Sequence, residues 1–139
     1  EPGEDFWIPH NRGTPRRIQN MGFVESNIKK GLWMTLNGGK LLISRSEPDL
    51  TQDTFDFVEA DIKTGGYGIT DVGWRTPKEV WAVGGSNTMY YSTDGGNKFQ
   101  FDKSANEYPG NLYNVKFFPQ FNNMGWALGS NGMLLRYTG

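Results

Sequence analysis

The sequence predicts an all-β fold made of β-propeller blades, and three observations carry that prediction. Tryptophan-centred segments recur at Trp33, Trp81 and Trp126. Each lies within a similar run of short apolar stretches separated by Gly- and Asn-rich turns, the pattern of a four-stranded repeat unit of about 40–50 residues. The composition agrees: the 139 residues include 19 glycines and 7 prolines, and 14% are aromatic, which suits many short strands joined by tight turns.

The elements follow in order within each unit. A first, channel-lining strand is expected at about 17–23, 68–74 and 112–118. The Trp-bearing second strands come next, at Leu32-Trp33-Met34-Thr35, Val80-Trp81-Ala82-Val83 and Gly125-Trp126-Ala127-Leu128. Third strands follow a turn at Lys40–Ile43, Thr88–Tyr91 and Met133–Arg136. An aromatic-x-apolar triplet recurs as the outer strand, at Phe6-Trp7-Ile8, Phe55-Asp56-Phe57 and Phe99-Gln100-Phe101. The repeat units therefore run over about 6–54, 55–98 and 99–139, roughly three blades' worth of a larger ring. Large aromatics on the second strands are expected to pack blade against blade. Because propellers need at least four blades to close, the chain is expected to require further blades or a second copy, with Phe6–Ile8 of that copy as a donated fourth strand.

Composition excludes several classes. Fourteen basic residues nearly balance fifteen acidic ones, so no polybasic nucleic-acid tail is present and no nucleic-acid partner is expected. The absence of cysteine removes disulfides, thiolate nucleophiles and Cys-ligated metals. The uncharged stretch from Phe117 to Leu135 has the length of a membrane span, yet Pro119, Gln120, three asparagines and several glycines argue against that reading. The first residues have neither the basic start nor the apolar core of a secretion signal, which implies a mature or trimmed chain.

Ser92-Thr93-Asp94-Gly95-Gly96-Asn97-Lys98-Phe99 matches the Asp-box pattern S-x-D-x-G-x-x-[WF]. Its chemistry is turn chemistry: the Asp94 carboxylate accepts hydrogen bonds from its own hairpin, Gly95 and Gly96 tolerate positive φ, and Phe99 packs inward. Ser92, Asp94, Gly96 and Phe99 are thus expected to be structural. The corresponding segment after Ser44, Arg45-Ser46-Glu47-Pro48-Asp49, lacks the glycines and is expected to turn through a longer loop.

Arg12, Arg16 and Arg17 cluster at the start of an inner strand, near His10, Asn11 and Asn20, and so near a channel mouth. Neighbours in a strand point to opposite sides, so only one of Arg16 and Arg17 faces the channel. A planar five-donor guanidinium favours carboxylates, which makes the cluster a candidate docking site for an acidic partner. His10, the single histidine, would have only carboxylate co-ligands. The acidic run Glu47, Asp49, Asp53, Asp56, Glu59 and Asp61 does not have the spacing of a calcium loop and reads as a solvated edge. No nucleophile elbow, phosphate-binding Gly loop or zinc motif occurs, so neither metal nor cofactor is expected.

Arg16-Arg17-Ile18-Gln19-Asn20-Met21-Gly22-Phe23, Asp71-Val72-Gly73-Trp74, Asn111-Leu112-Tyr113-Asn114-Val115-Lys116-Phe117 and Gly129-Ser130-Asn131-Gly132-Met133-Leu134-Leu135-Arg136-Tyr137 resemble the photosystem II stability/assembly factor family. The resemblance runs from about Arg16 to the end. It implies the C-terminal part of an Asp-box propeller, usually seven-bladed, from cyanobacteria or chloroplasts. It also implies a non-enzymatic factor of the thylakoid lumen that binds newly made photosystem II reaction-centre protein and early assembly intermediates through an arginine-rich face. Arg12, Arg16 and Arg17, with Asn20 beside them, are the positions carried over. The competing reading is a sialidase-like glycoside hydrolase on the same architecture. A sialidase needs a three-arginine carboxylate clamp with a Tyr–Glu nucleophile pair and other glycosidases need two facing carboxylates, whereas Asp71 is the only acid on the predicted inner strands.

Overall fold

A computed structural model describes residues 17–49, 51, 56–103 and 109–139. Eleven strands among them form three antiparallel sheets. The first sheet pairs β1 (Ile18–Phe23), β2 (Leu32–Leu36), β3 (Lys40–Ser44) and β4 (Val58–Glu59) in that order. The second pairs β5 (Ile69–Trp74), β6 (Val80–Gly84), β7 (Met89–Ser92) and β8 (Gln100–Asp102). The third holds β9 (Leu112–Phe118), β10 (Met124–Gly129) and β11 (Leu134–Arg136). Neighbouring strands in sequence are neighbours in space, which is the meander of a propeller blade. The helical pieces among the described residues are single 3₁₀ turns, and none is long and apolar enough to cross a membrane.

Register makes the three sheets equivalent residue by residue. Each first strand carries a bulge after its first residue, at Gln19, Thr70 and Tyr113, where the pairing skips one position. Counted from the bulge, Trp33, Trp81 and Trp126 occupy the same place on β2, β6 and β10, opposite Gly22, Gly73 and Lys116. The first of these pairs shows why glycine is used: a Cβ on Gly22 would lie 2.7 Å from the Trp33 indole. The third sheet reverses the arrangement, with the Phe117 ring lying over Gly125, directly opposite it in the ladder.

The core lies between sheets. Trp33, Leu41 and Ile43 of the first sheet pack with Ile69, Val72, Val80, Ala82, Tyr90 and Phe99 of the second. Val83 of the second sheet packs with Leu112, Val115 and Ala127 of the third. Burying each such aliphatic side chain contributes about 1.5–3 kcal/mol, so the blade-to-blade seams hold the arc together.

The outer strands sit later in sequence than the aromatic triplets predict. The first sheet ends with Val58–Glu59, where Val58 pairs with Ile43 and Glu59 with Leu42. Phe57 instead packs on Met34, Leu36 and Leu42 just before the strand. The same shift occurs in the second sheet, where Phe99 is buried ahead of β8. The aromatic is therefore the plug that seats the outer strand, and the strand begins at or after the next residue. Phe6–Ile8 and Phe55 lie outside the described residues.

Candidate docking face

The registers place the starts of β1, β5 and β9 at one end of the arc, together with the β2–β3, β6–β7 and β10–β11 turns. Arg17 is exposed at this end, immediately before β1, and its carbonyl oxygen accepts a 2.8 Å hydrogen bond from the Asn37 N–H of the β2–β3 turn. Among the described residues its guanidinium has no partner. Arg12 and Arg16 lie outside the described residues.

Backbone and side-chain bonds tie the loops around Arg17 into a rim. Thr64 Oγ1 donates to the Gly39 carbonyl at 3.1 Å, and the Gly85 N–H donates to the Gly68 carbonyl at 3.1 Å. Ser86 N–H reaches Asn111 Oδ1 at 2.9 Å, and Ser130 N–H reaches the Asn111 carbonyl at 2.8 Å. Tyr67 and Tyr113 stand exposed on the same rim. The lysines here are already paired, Lys63 with Asp61 at 2.9 Å and Lys40 with Glu59 at 3.7 Å. Lys63 holds the Asp61 carboxyl below its usual range, chiefly through their hydrogen bond. The end thus combines a rigid hydrogen-bonded rim, two exposed tyrosines and an arginine whose charge no described acid neutralises, which suits an acidic or carboxylate-bearing segment.

Asn20 is engaged inside the arc. Its side-chain N–H donates 2.9 Å to the carbonyl of the bulge residue Thr70, and its Oδ1 accepts from the Met21 N–H at 2.8 Å. It registers β1, the strand to which Arg17 leads, against β5. One blade on, Asp71 occupies the equivalent position and is buried. Its Oδ1 accepts from the Val72 N–H and its Oδ2 from the Val115 N–H, both at 2.9 Å, while Lys116 Nζ lies 3.2 Å away. Thr70 Oγ1 also donates 2.6 Å to the Leu112 carbonyl. The carboxylate on which a hydrolase would depend is thus fully occupied in joining β5 to β9.

The Asp box is a hairpin at the blade periphery. Asp94 Oδ1 accepts from the Ser92 hydroxyl at 2.6 Å and from the N–H groups of Asn97 and Lys98 at 3.0 and 3.1 Å. These bonds, that of Ser92 foremost, hold its carboxyl below the usual range. The Gly96 N–H donates to Ser92 Oγ at 2.9 Å, and φ is +83° at Gly95 and +101° at Gly96. Arg45, from the segment without glycines, reaches across to Asn97 Oδ1 at 3.3 Å. Sequence reasoning missed two groupings: the Asn20 and Asp71 clamps, and a cluster in which Arg75 grips Glu79 through two bonds of 2.6 and 2.7 Å while Trp81 Nε1 donates to Glu79 at 2.8 Å. The bulge that aligns the clamps is a register feature with no residue signature.

Blades with tryptophan-bearing second strands, bulged first strands and an Asp-box hairpin define an arc of an Asp-box β-propeller. The sequence matches the family described as photosynthesis system II assembly factor YCF48 over residues 1–138, and the chain belongs to that family. It is 46% identical over 138 residues to the photosystem II stability/assembly factor HCF136 of the Guillardia theta chloroplast, covering 99% of this chain and 34% of that protein. The chain thus spans about a third of that relative's length. Among solved structures it is similar to YCF48 from Cyanidioschyzon merolae, with a TM-score of 0.87 and 41% identity over 99% of this chain and 42% of that one. A structure of YCF48 bound to D1 peptide matches with a TM-score of 0.77 and 38% identity, over 100% of this chain and 42% of that one. These relatives are named as assembly or stability factors, not as enzymes, and the glycoside-hydrolase reading is set aside.

Proposed function

We propose that this chain is part of a non-enzymatic assembly factor that binds newly made photosystem II reaction-centre protein in the thylakoid lumen through Arg12, Arg16 and Arg17, the last of which lies exposed at one end of the arc. The observation that carries the reading is the likeness, at 38% identity over the whole chain, to a relative whose structure is of a complex with D1 peptide. The exposed Arg17 and the rim around it support the choice of end. Arginine supplies the charge and directional donors for a peptide carboxylate, and the tyrosines offer flat apolar surface for the chain beside it. Asn20 acts as a positioning residue, fixing β1 against β5 so that Arg17 is presented at the start of a rigid strand.

Binding of a labelled D1 peptide to the full-length protein, followed by fluorescence anisotropy at low and moderate salt, tests this. An arginine at an exposed rim contributes under about 1 kcal/mol, and one pairing with a desolvated carboxylate about 2–5 kcal/mol. Arg16→Ala/Arg17→Ala is therefore expected to weaken binding several-fold or more, with the loss greater at low salt. Unchanged affinity at both salt concentrations removes the arginines from the mechanism.

A further inference from the structure

The end of the arc that carries Arg17 is laced into a closed circuit where the first and second sheets meet. The Arg17 carbonyl oxygen takes the Asn37 N–H, and two residues on, Gly39 lies so close to the segment before β5 that a Cβ there would overlap both Thr64 Oγ1 and the Tyr67 carbonyl oxygen. Gly68 follows Tyr67 and lies against Gln19, whose Oε1 would be 2.9 Å from a Cβ at that glycine. Gln19 returns the circuit to β1, two residues from Arg17. The Tyr67 ring rests over the β6–β7 turn, with Cδ1 3.9 Å from the place of a Cβ on Gly85, and the residue remains 52% exposed. Nothing lies within 4 Å of a Cβ at Gly65 or Gly66, so no neighbour screens the ring on the side of its own loop. Both sheets of this seam are present, so Tyr67 is exposed with its neighbouring blade in place. Tyr113 differs: it is the bulge residue of β9, and the equivalent Thr70 bonds to the sheet that follows its own.

We propose that Tyr67 is a specificity-determining residue of the docking end, taking an apolar side chain of the bound peptide beside the acidic group that Arg17 receives. The assignment rests on the docking function proposed above. A guanidinium binds any carboxylate, so Arg17 alone would accept every acidic segment. An exposed ring beside it adds a second requirement, because it buries apolar surface against a branched or aromatic side chain and gains little from a polar one. That contact costs little ordering, since the loop bearing Tyr67 is already held by the Thr64 bond to the Gly39 carbonyl. Gln19 is exposed between the two and presents an amide, donor and acceptor together, to the peptide backbone that links them. The partner is therefore an extended peptide with a carboxylate and, a short way along the chain, a branched apolar or aromatic residue.

Fluorescence anisotropy of a labelled D1 peptide on the full-length protein carrying these residues is the test. Tyr67→Ala, Tyr67→Phe and Arg16→Ala/Arg17→Ala are compared at low and moderate salt, and the peptide is also supplied in forms where each apolar residue in turn is alanine. Tyr67→Ala is expected to weaken binding about threefold to tenfold at both salt concentrations, and Tyr67→Phe to bind as the parent does, since the ring and not the hydroxyl makes the contact. One peptide substitution is expected to cause the same loss with the parent and none beyond it with Tyr67→Ala. A loss from Tyr67→Ala that adds to that of every peptide substitution would make the tyrosine a mere support of the rim and overturn the assignment. Equal losses in Tyr67→Phe and Tyr67→Ala overturn it as well, as does unchanged affinity in Tyr67→Ala while the arginine variant is weakened. Unchanged affinity in all three variants removes the docking end itself, and Tyr67 with it.

Discussion

Glu79 shows how much one side chain holds at the seam between the second and third sheets. The Arg75 guanidinium grips both of its oxygens, Trp81 donates to one of them, and Tyr137 joins the group with its ring 5.0 Å from the Arg75 guanidinium. Hydrogen bonds from Arg75, opposed by burial and aided by Trp81 and Tyr137, hold the Glu79 carboxyl below its ordinary value of 4.5. A lowered carboxyl pKa stabilises the fold above the unfolded value, and that contribution is lost as pH falls through the lowered one. Glu79→Gln is therefore expected to cost about 1–2 kcal/mol at pH 7. Thermal melts should show the gap between variant and parent closing as the pH falls below the ordinary value of 4.5 and through the lowered one. A gap independent of pH would show that the charge of Glu79 does not matter. Asp71 makes a second prediction at this scale. Asp71→Leu strands the buried Val115 N–H and should cost about 1–3 kcal/mol in denaturant unfolding, whereas an effect near zero would remove the clamp.

At the scale of elements, the order and the tryptophan register were legible because they rest on period and spacing, which the chain writes directly. The first strands fall within a residue of the ranges read from sequence, and β9 coincides with its range. The outer strands slipped because the aromatic triplet marks the plug that seats the strand, and burial of Phe99 or packing of Phe57 says nothing of where the ladder begins. The site was legible only in part. Arg17 could be placed because it precedes an inner strand, whereas the engagement of Asn20 with Thr70 depends on a neighbouring blade fifty residues away. The Gly22–Trp33 pair offers a test of the seam: Gly22→Val drives a branched side chain into the indole and should cost about 1–3 kcal/mol or more in chemical denaturation, with Gly22→Ala intermediate. Equal stability of all three proteins would mean that the tryptophan has room to move.

Among the described residues, β11 has no outer strand neighbour, and Leu128 and Leu134 are exposed on the third sheet. Edges and faces of this kind recruit partners. Sedimentation velocity of the 139-residue chain alone at micromolar concentration is expected to show association, and a cooperatively melting monomer would contradict that expectation. The functional account is tested most directly by the hydrogen-exchange footprint of a D1 peptide on the full-length protein. Protection is predicted at the Arg17 end, in Arg17–Gln19, the β2–β3 turn around Gly38 and Gly39, and the segments leading into β5 and β9. Protection at the opposite end instead, around Asn27–Lys30 or Pro119–Asn123, with the Arg17 end unchanged, would contradict it.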